Sequence, residues 1–217
     1  MSEFKSKFKK FGGDWIPDII EYLKEKIEKD PQITIAVGCD SIQKRRRTIF
    51  SCTIMICNSD IRNGAHVVFF RENIEKLRDN NERLLKEAEF AYNISEYLHG
   101  ELQSFYKRLD LSPYQRKSYK FHIQKCAGQH EHIQYSDVDK FISNINLNQD
   151  ELQYDYKLVD IHLDYNPKET SPETRRSNKS HAAYKTQVPW LRASGYRTFA
   201  KNIAFAATSA ADLLLQD

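Results

Sequence analysis

A run of apolar and β-branched residues that ends on a carboxylate constrains this chain more than any other feature. Ile33-Thr34-Ile35-Ala36-Val37-Gly38-Cys39-Asp40-Ser41 is short, follows Pro31 and predicts a buried strand. A buried strand that delivers Asp40 at its C-terminal end sets a charge at the rim of a sheet, where open α/β folds place their sites. The rest of the chain offers partners for that acid. They are Glu87 on a long helical pattern, Asp164 at the end of a second strand, and Asp212 on a C-terminal helix.

Length and composition narrow the classes. With 217 residues, 40% hydrophobic and 29% charged, the chain fits one large domain, or one domain with an insertion, with a sizeable core. No apolar run approaches the length of a bilayer span. The lysines at the start (Lys5, Lys7, Lys9, Lys10) lack the apolar run of a secretion signal, so a cytoplasmic protein without a membrane partner is expected. Cys39, Cys52, Cys57 and Cys126 sit mostly in apolar, strand-like runs, which predicts reduced core thiols rather than a disulfide framework. A net charge of +3 is compatible with a nucleic-acid partner without requiring one. The charge is concentrated in Lys44-Arg45-Arg46-Arg47 and in Arg175-Arg176, candidate phosphate contacts, although a charge run is more often a solvated loop.

Read in order, residues 1–13 suggest a mobile basic arm ended by Gly12-Gly13. Asp14 is a candidate cap for a helix to Lys29, with Ile16, Ile19, Ile20, Leu23 and Ile27 at helical spacing. Residues 1–30 thus form a basic arm and helix, and 31–217 the main domain. After the Asp40 strand, Thr48–Cys57 and Ala65–Phe70 predict two more strands in an antiparallel meander. A long helix is expected over Asn80–Leu109, with Leu84, Ala88, Ala91, Ser95 and Leu98 as its buried stripe. Glu87 borders that stripe, unusual for an acid without a partner, whereas Glu89 and Glu96 read as solvent-facing. Residues 110–150 read as an insertion, with a strand suggested at Tyr119–Lys125 and a short helix at Asp137–Ile145.

Tyr156–Asp164 alternates Val159, Ile161 and Leu163 with Asp160, His162 and Asp164, a strand with one apolar and one polar face. A helical stretch follows over Ser180–Ala193, interrupted by Pro189 and ended by Gly195. Tyr196–Ala200 predicts a fifth strand. A helix of small residues then carries Asp212.

The order of elements is strand-Asp, meander, helix-Glu, strand-Asp, helix, strand, helix-Asp. Asp40, Glu87, Asp164 and Asp212 together suit two Mg²⁺ or Mn²⁺ ions about 3.5–4 Å apart, the arrangement that splits phosphodiesters. Each acid alone is weak, since solvent-facing acids are common; the element order carries the weight. Here the chain resembles a known family. Val37-Gly38-Cys39-Asp40-Ser41, Asp160-Ile161-His162-Leu163-Asp164, and Gly195-Tyr196 through Lys201 to Ala210-Ala211-Asp212 are similar to the RNase H-like YkuK family of bacterial proteins. The resemblance covers residues of about 30–98 and 155–215. It implies the α/β ribonuclease H-like fold, a mixed five-stranded sheet flanked by helices, and the acidic metal-binding set on Asp40, Glu87, Asp164 and Asp212.

Other residues read less sharply. His162, on the Asp164 face, can assist a proton transfer or make a structural hydrogen bond. Lys201 can set a positive charge near a scissile phosphate or simply end a strand. Asp160, deeper in its strand, reads as structural. His122, Cys126, His130 and His132 are zinc-ligand types, but their spacing matches no familiar module, and ordinary insertion surface is the better reading. Two functions therefore stand. The first is a metal-dependent nuclease acting on RNA, DNA or a hybrid. The second is a non-catalytic module of the same fold that binds nucleic acid or serves a protein assembly. A nucleotide-handling ATPase lacks its Gly-rich phosphate loop.

Overall fold

The computed structural model describes residues 4–31, 33–57, 65–77, 79–109, 157–167, 180–201, 204, 206–211 and 213–215. The expected elements of the 110–150 insertion lie outside these residues, as do Asp212, Arg175, Arg176 and the four zinc-type candidates. Among the described residues six strands form one sheet: β1 (Lys9–Lys10), β2 (Thr34–Gln43), β3 (Arg47–Cys57), β4 (Ala65–Glu75), β5 (Val159–Leu163) and β6 (Thr198–Ala200). Their order is β1-β4-β3-β2-β5-β6. Pairing is antiparallel from β1 through β2, and parallel for β2–β5 and β5–β6. This is a mixed α/β sheet flanked by helices, consistent with the expected ribonuclease H-like fold. Among the described residues, no helix is long and apolar enough to cross a membrane.

One strand exceeds the expected five. The N-terminal segment is not a mobile arm over Lys9–Lys10, which pair with Phe69 and Val68 of β4. Phe8, fully buried, meets Phe70 edge to face with centroids 5.0 Å apart and draws the segment onto the sheet. The chain then doubles back, with Ile16 N–H bonded to the Phe8 carbonyl at 2.9 Å. Because residues 14–16 are held in this pairing, helix α1 (Ile19–Lys29) starts four residues later than an Asp14 cap implies. Asp18 caps it instead, accepting from Ile20 N–H at 2.9 Å and Glu21 N–H at 3.3 Å.

Alternation along the strands gives the sheet two different faces. Ile35, Val37 and Cys39 of β2, with Ile161 and Leu163 of β5, join the main core against α1 and the long helix α2 (Asn80–Arg108). Helix α3 (His181–Ala193) adds Val188 and Leu191 to that core. It runs on through Pro189 rather than breaking there, and ends at Gly195 in the left-handed conformation (φ +87°). Bonds from Gly195 N–H to Arg192 O and from Tyr196 N–H to Leu191 O close a Schellman motif. Cys39, Cys52 and Cys57 are buried free thiols, as expected.

The other face takes a C-terminal π-helix (Ala206–Ala211) at very close range. A Cβ on Gly38 would lie 2.4 Å from the Ala206 carbonyl carbon and from Ala207 N. Thr53 and His162 are the register partners of Gly38 on β3 and β5. Both grip the same Ala206 residue: its N–H donates to His162 Nδ1 at 3.2 Å, and its carbonyl accepts from Thr53 Oγ1 at 2.6 Å. Three neighbouring strands thus hold one turn of backbone, and glycine is what lets it approach. Gly38→Ala is expected to lower stability by about 1–3 kcal/mol in urea unfolding, since backbone must move. Gly100→Ala in α2, where a Cβ meets nothing within 4 Å, is expected to raise it slightly.

Candidate functional site

Asp40 sits inside β2, not at its end. The antiparallel hairpin with β3 runs on to Gln43–Thr48, and Lys44 N–H bonds Arg47 O at 2.8 Å across the turn. On the other side β5 pairs only as far as Leu163, opposite Cys39. Asp40 therefore stands at the carboxyl end of the parallel part of the sheet, and the same register carried one residue further sets Asp164 beside it.

Asp40 and Ser41 are consecutive in a strand and face opposite ways. Ser41 turns toward α2, where its hydroxyl donates to Glu87 Oε1 at 2.6 Å. Glu87 is only 1% exposed. Arg83, one turn earlier in α2, donates from Nη1 to Glu87 Oε1 (3.1 Å), the Ser41 carbonyl (2.7 Å) and the Ser41 hydroxyl (2.8 Å). Its Nη2 donates to Asn80 Oδ1 at 2.9 Å. Burial pushes the Glu87 carboxyl up to about 8, and the negative charges of Asp40 and Asp164 add to the rise. The Ser41 hydrogen bond and the Arg83 charge oppose it. The negative charges of Asp40 and Asp164 thus bear on Glu87 across the end of the sheet. Asp40 Oδ1 also accepts from Ser41 N–H at 2.7 Å.

Asp164 pairs with Lys201, Nζ to Oδ1, at 2.9 Å, and both side chains are partly exposed. Lys201 takes φ +49°, a left-handed backbone uncommon outside glycine and found where surroundings over-determine the chain. His162 lies away from solvent beneath the π-helix, so of its two expected roles the structure displays the hydrogen-bonding one. Accepting at Nδ1 puts the proton of a neutral ring on Nε2. Asp160 is buried in a pair with Arg197, Nε to Oδ1 at 2.5 Å, which matches its structural reading. Lys44, Arg45, Arg46 and Arg47 form the exposed tip of the β2–β3 hairpin.

Sequence reasoning missed Ser41 and Arg83, although both left a signal. Arg83 stands at the i−4 spacing from Glu87 that makes helical ion pairs, and Ser41 adjoins Asp40. Glu96 corrects its solvent-facing reading: it is ion-paired with Lys157 and accepts from the Tyr196 hydroxyl at 2.5 Å. It ties α2 to the segments flanking β5 and β6. Glu89 does face solvent, paired with Lys86.

Among the described residues, no group of three or more His, Cys, Asp or Glu side chains is arranged to hold a metal ion. The donor chemistry nonetheless suits a hard divalent cation, because these are carboxylate oxygens, and a cation would offset both the burial that chiefly raises Glu87 and the added repulsion from Asp40 and Asp164.

A central strand that sets an Asp beside a second Asp beyond its parallel neighbour, above a buried Glu from the covering helix, defines an α/β protein with an acidic cluster at its sheet rim. The chain belongs to the Ribonuclease H-like family: that family's model, the YkuK family domain, matches residues 15–215. No curated protein and no solved structure matches it.

Glu87 makes stability depend on pH in a definite direction. In the folded chain it keeps its proton up to about pH 8, against 4.5 for an ordinary glutamate. The folded state therefore binds the extra proton between these values, and stability falls as pH rises through that window. In EDTA, Glu87→Gln is expected to melt above wild type at pH 8.5 and to converge with it below pH 4.5. A difference constant across that range contradicts the assignment.

Proposed function

We propose that this chain is a metal-dependent nuclease that hydrolyses phosphodiester bonds in nucleic acid. The observation that carries the reading is the placement of Asp40 and Asp164 at the carboxyl end of the parallel strands, with the buried Glu87 near enough to feel both charges, in a chain of the Ribonuclease H-like family. Asp40, Glu87 and Asp164, with Asp212, are the residues that would hold two Mg²⁺ or Mn²⁺ ions. Ions of this kind supply an activated water at neutral pH and offset charge on the reacting phosphate.

The chain's own groups have separate tasks in this reading. Ser41 and Arg83 hold Glu87 in one orientation at the α2–β2 junction, where a bound cation would favour its ionised form. Lys201 orients Asp164 and brings a positive charge to where a phosphate would lie. Arg45, Arg46 and Arg47 at the hairpin tip are suited to phosphate contacts that are salt-sensitive and indifferent to sequence. Arg175 and Arg176 are assigned the same task from their residue type alone.

The pairing of Glu87 with Arg83 and of Asp164 with Lys201 favours a second reading, a nucleic-acid-binding module whose acids are neutralised internally. One comparison separates the two. With Mn²⁺ and single-stranded or hybrid substrates, wild type is expected to cleave and to melt higher with metal, and Asp40→Asn to do neither while staying folded. Equal cleavage by Asp40→Asn sinks the nuclease assignment. Binding that ignores both Asp40→Asn and EDTA, with no cleavage by wild type, selects the module.

A further inference from the structure

The sheet edge on the far side of β4 is built from a small hairpin. Lys9 and Trp15 bridge it, Lys10 N–H bonds Asp14 O at 2.8 Å, and Gly13 at φ +100° makes the turn. The buried Phe8 anchors the hairpin to the core, yet its outer surface leaves Trp15 67% and Phe11 56% exposed. A large aromatic side chain held on an anchored scaffold but left in water is a ready stacking surface.

The surroundings of Trp15 are asymmetric. On one side lies a cleft of about 400 Å³ lined by Lys7, Lys9, Trp15, Phe70, Arg71 and Glu72. Three cations there face one carboxylate: Glu72 is already matched to Lys7 at 3.3 Å, and Arg71 gives one of its five N–H donors to the Leu214 carbonyl. On the other side a smaller cleft presents Asp18, Glu21 and Glu25 with Lys10. A polyanion beside Trp15 is therefore drawn to the Lys9–Arg71 side and repelled from the other. That side also points toward the acids. Arg71 is in register with Ser51, and Ser51 with Asp40, so Arg71 and Asp40 share a face two strand spacings apart, about 10 Å.

We propose that the Trp15 cleft docks single-stranded nucleic acid, with a base stacked on Trp15 and phosphates along Lys9 and Arg71, and leads the strand toward Asp40. Unpaired bases are required, because a stacked and paired base offers no face to the indole. The proposal rests on nucleic acid as the ligand of the preceding section and names its form and entry path.

The two tryptophans of the chain are Trp15 and Trp190, so in a Trp190→Phe background the intrinsic fluorescence reports Trp15 alone. The test titrates that full-length variant, in EDTA, with oligo-dT and oligo-rU of about 15 nucleotides, a length within the range one such platform occupies. Anisotropy of the labelled oligonucleotide is followed in parallel. A saturating quench is expected, with a midpoint that rises steeply with salt. Trp15→Ala is expected to weaken binding seen by anisotropy about tenfold or more. Lys9→Glu is expected to weaken it several-fold, and Asp40→Asn to keep the quench. Oligonucleotide binding with no Trp15 quench and no effect of Trp15→Ala overturns the cleft assignment while nucleic-acid binding stands. Absence of binding by either readout overturns both. A mononucleotide that quenches with the same midpoint overturns docking of a strand. A sedimenting dimer that Trp15→Ala dissolves, with no quench, assigns the face to a second copy and overturns the proposal.

Discussion

The Glu87 carboxyl group is buried between α2 and β2, and the geometry of the acidic cluster descends from that burial. A carboxyl group taken out of water needs hydrogen-bond partners or a proton. Here the Ser41 hydroxyl and the Arg83 guanidinium supply the partners, and Arg83 also bonds the Ser41 carbonyl. These bonds clamp β2 to the start of α2. With Ser41 turned inward, strand alternation turns Asp40 outward, and parallel pairing with β5 brings Asp164 alongside. One buried acid thus organises the two at the rim.

The opposite face depends on an absence of side chain. Gly38 admits the Ala206 backbone to a distance that no Cβ permits, and Thr53 and His162 take up the carbonyl and N–H brought there. The close approach of the π-helix to β2 thus depends on one residue without a side chain. Lys201, just before that segment, combines a left-handed backbone with its bond to Asp164. The exposed hairpin at the far edge stands apart, anchored by Phe8 but facing water with Trp15.

Much of this was legible from local pattern. The five longer strands, the buried stripe of α2 with Glu87 at its border, and the apolar and polar faces of β5 all follow from periodicity. A strand that gives out around Asp164 follows from the Pro167 stop, although β5 itself closes one residue earlier, at Leu163. The strand Lys9–Lys10 was not legible, because two lysines carry no alternation and are held by Phe8 packing on Phe70. The choice of Asp18 over Asp14 as helix cap was equally hidden, since it turns on the pairing of residues 14–16 with β1. Glu96 looked solvent-facing because Lys157 and Tyr196, its partners, lie 61 and 100 residues away.

By itself the sequence determined which residue types stand at which ends of which elements, and hence the family and the acids worth following. Those are matters of spacing along the chain, set by the periods of helix and strand. Only the tertiary structure decided that β2 runs past Asp40 while β5 stops short of Asp164, that Ser41 and Arg83 share Glu87, and that His162 serves a backbone N–H. Each depends on which distant segments pair and how closely they approach, and register and close packing are properties of two surfaces together, not of either strand's own pattern.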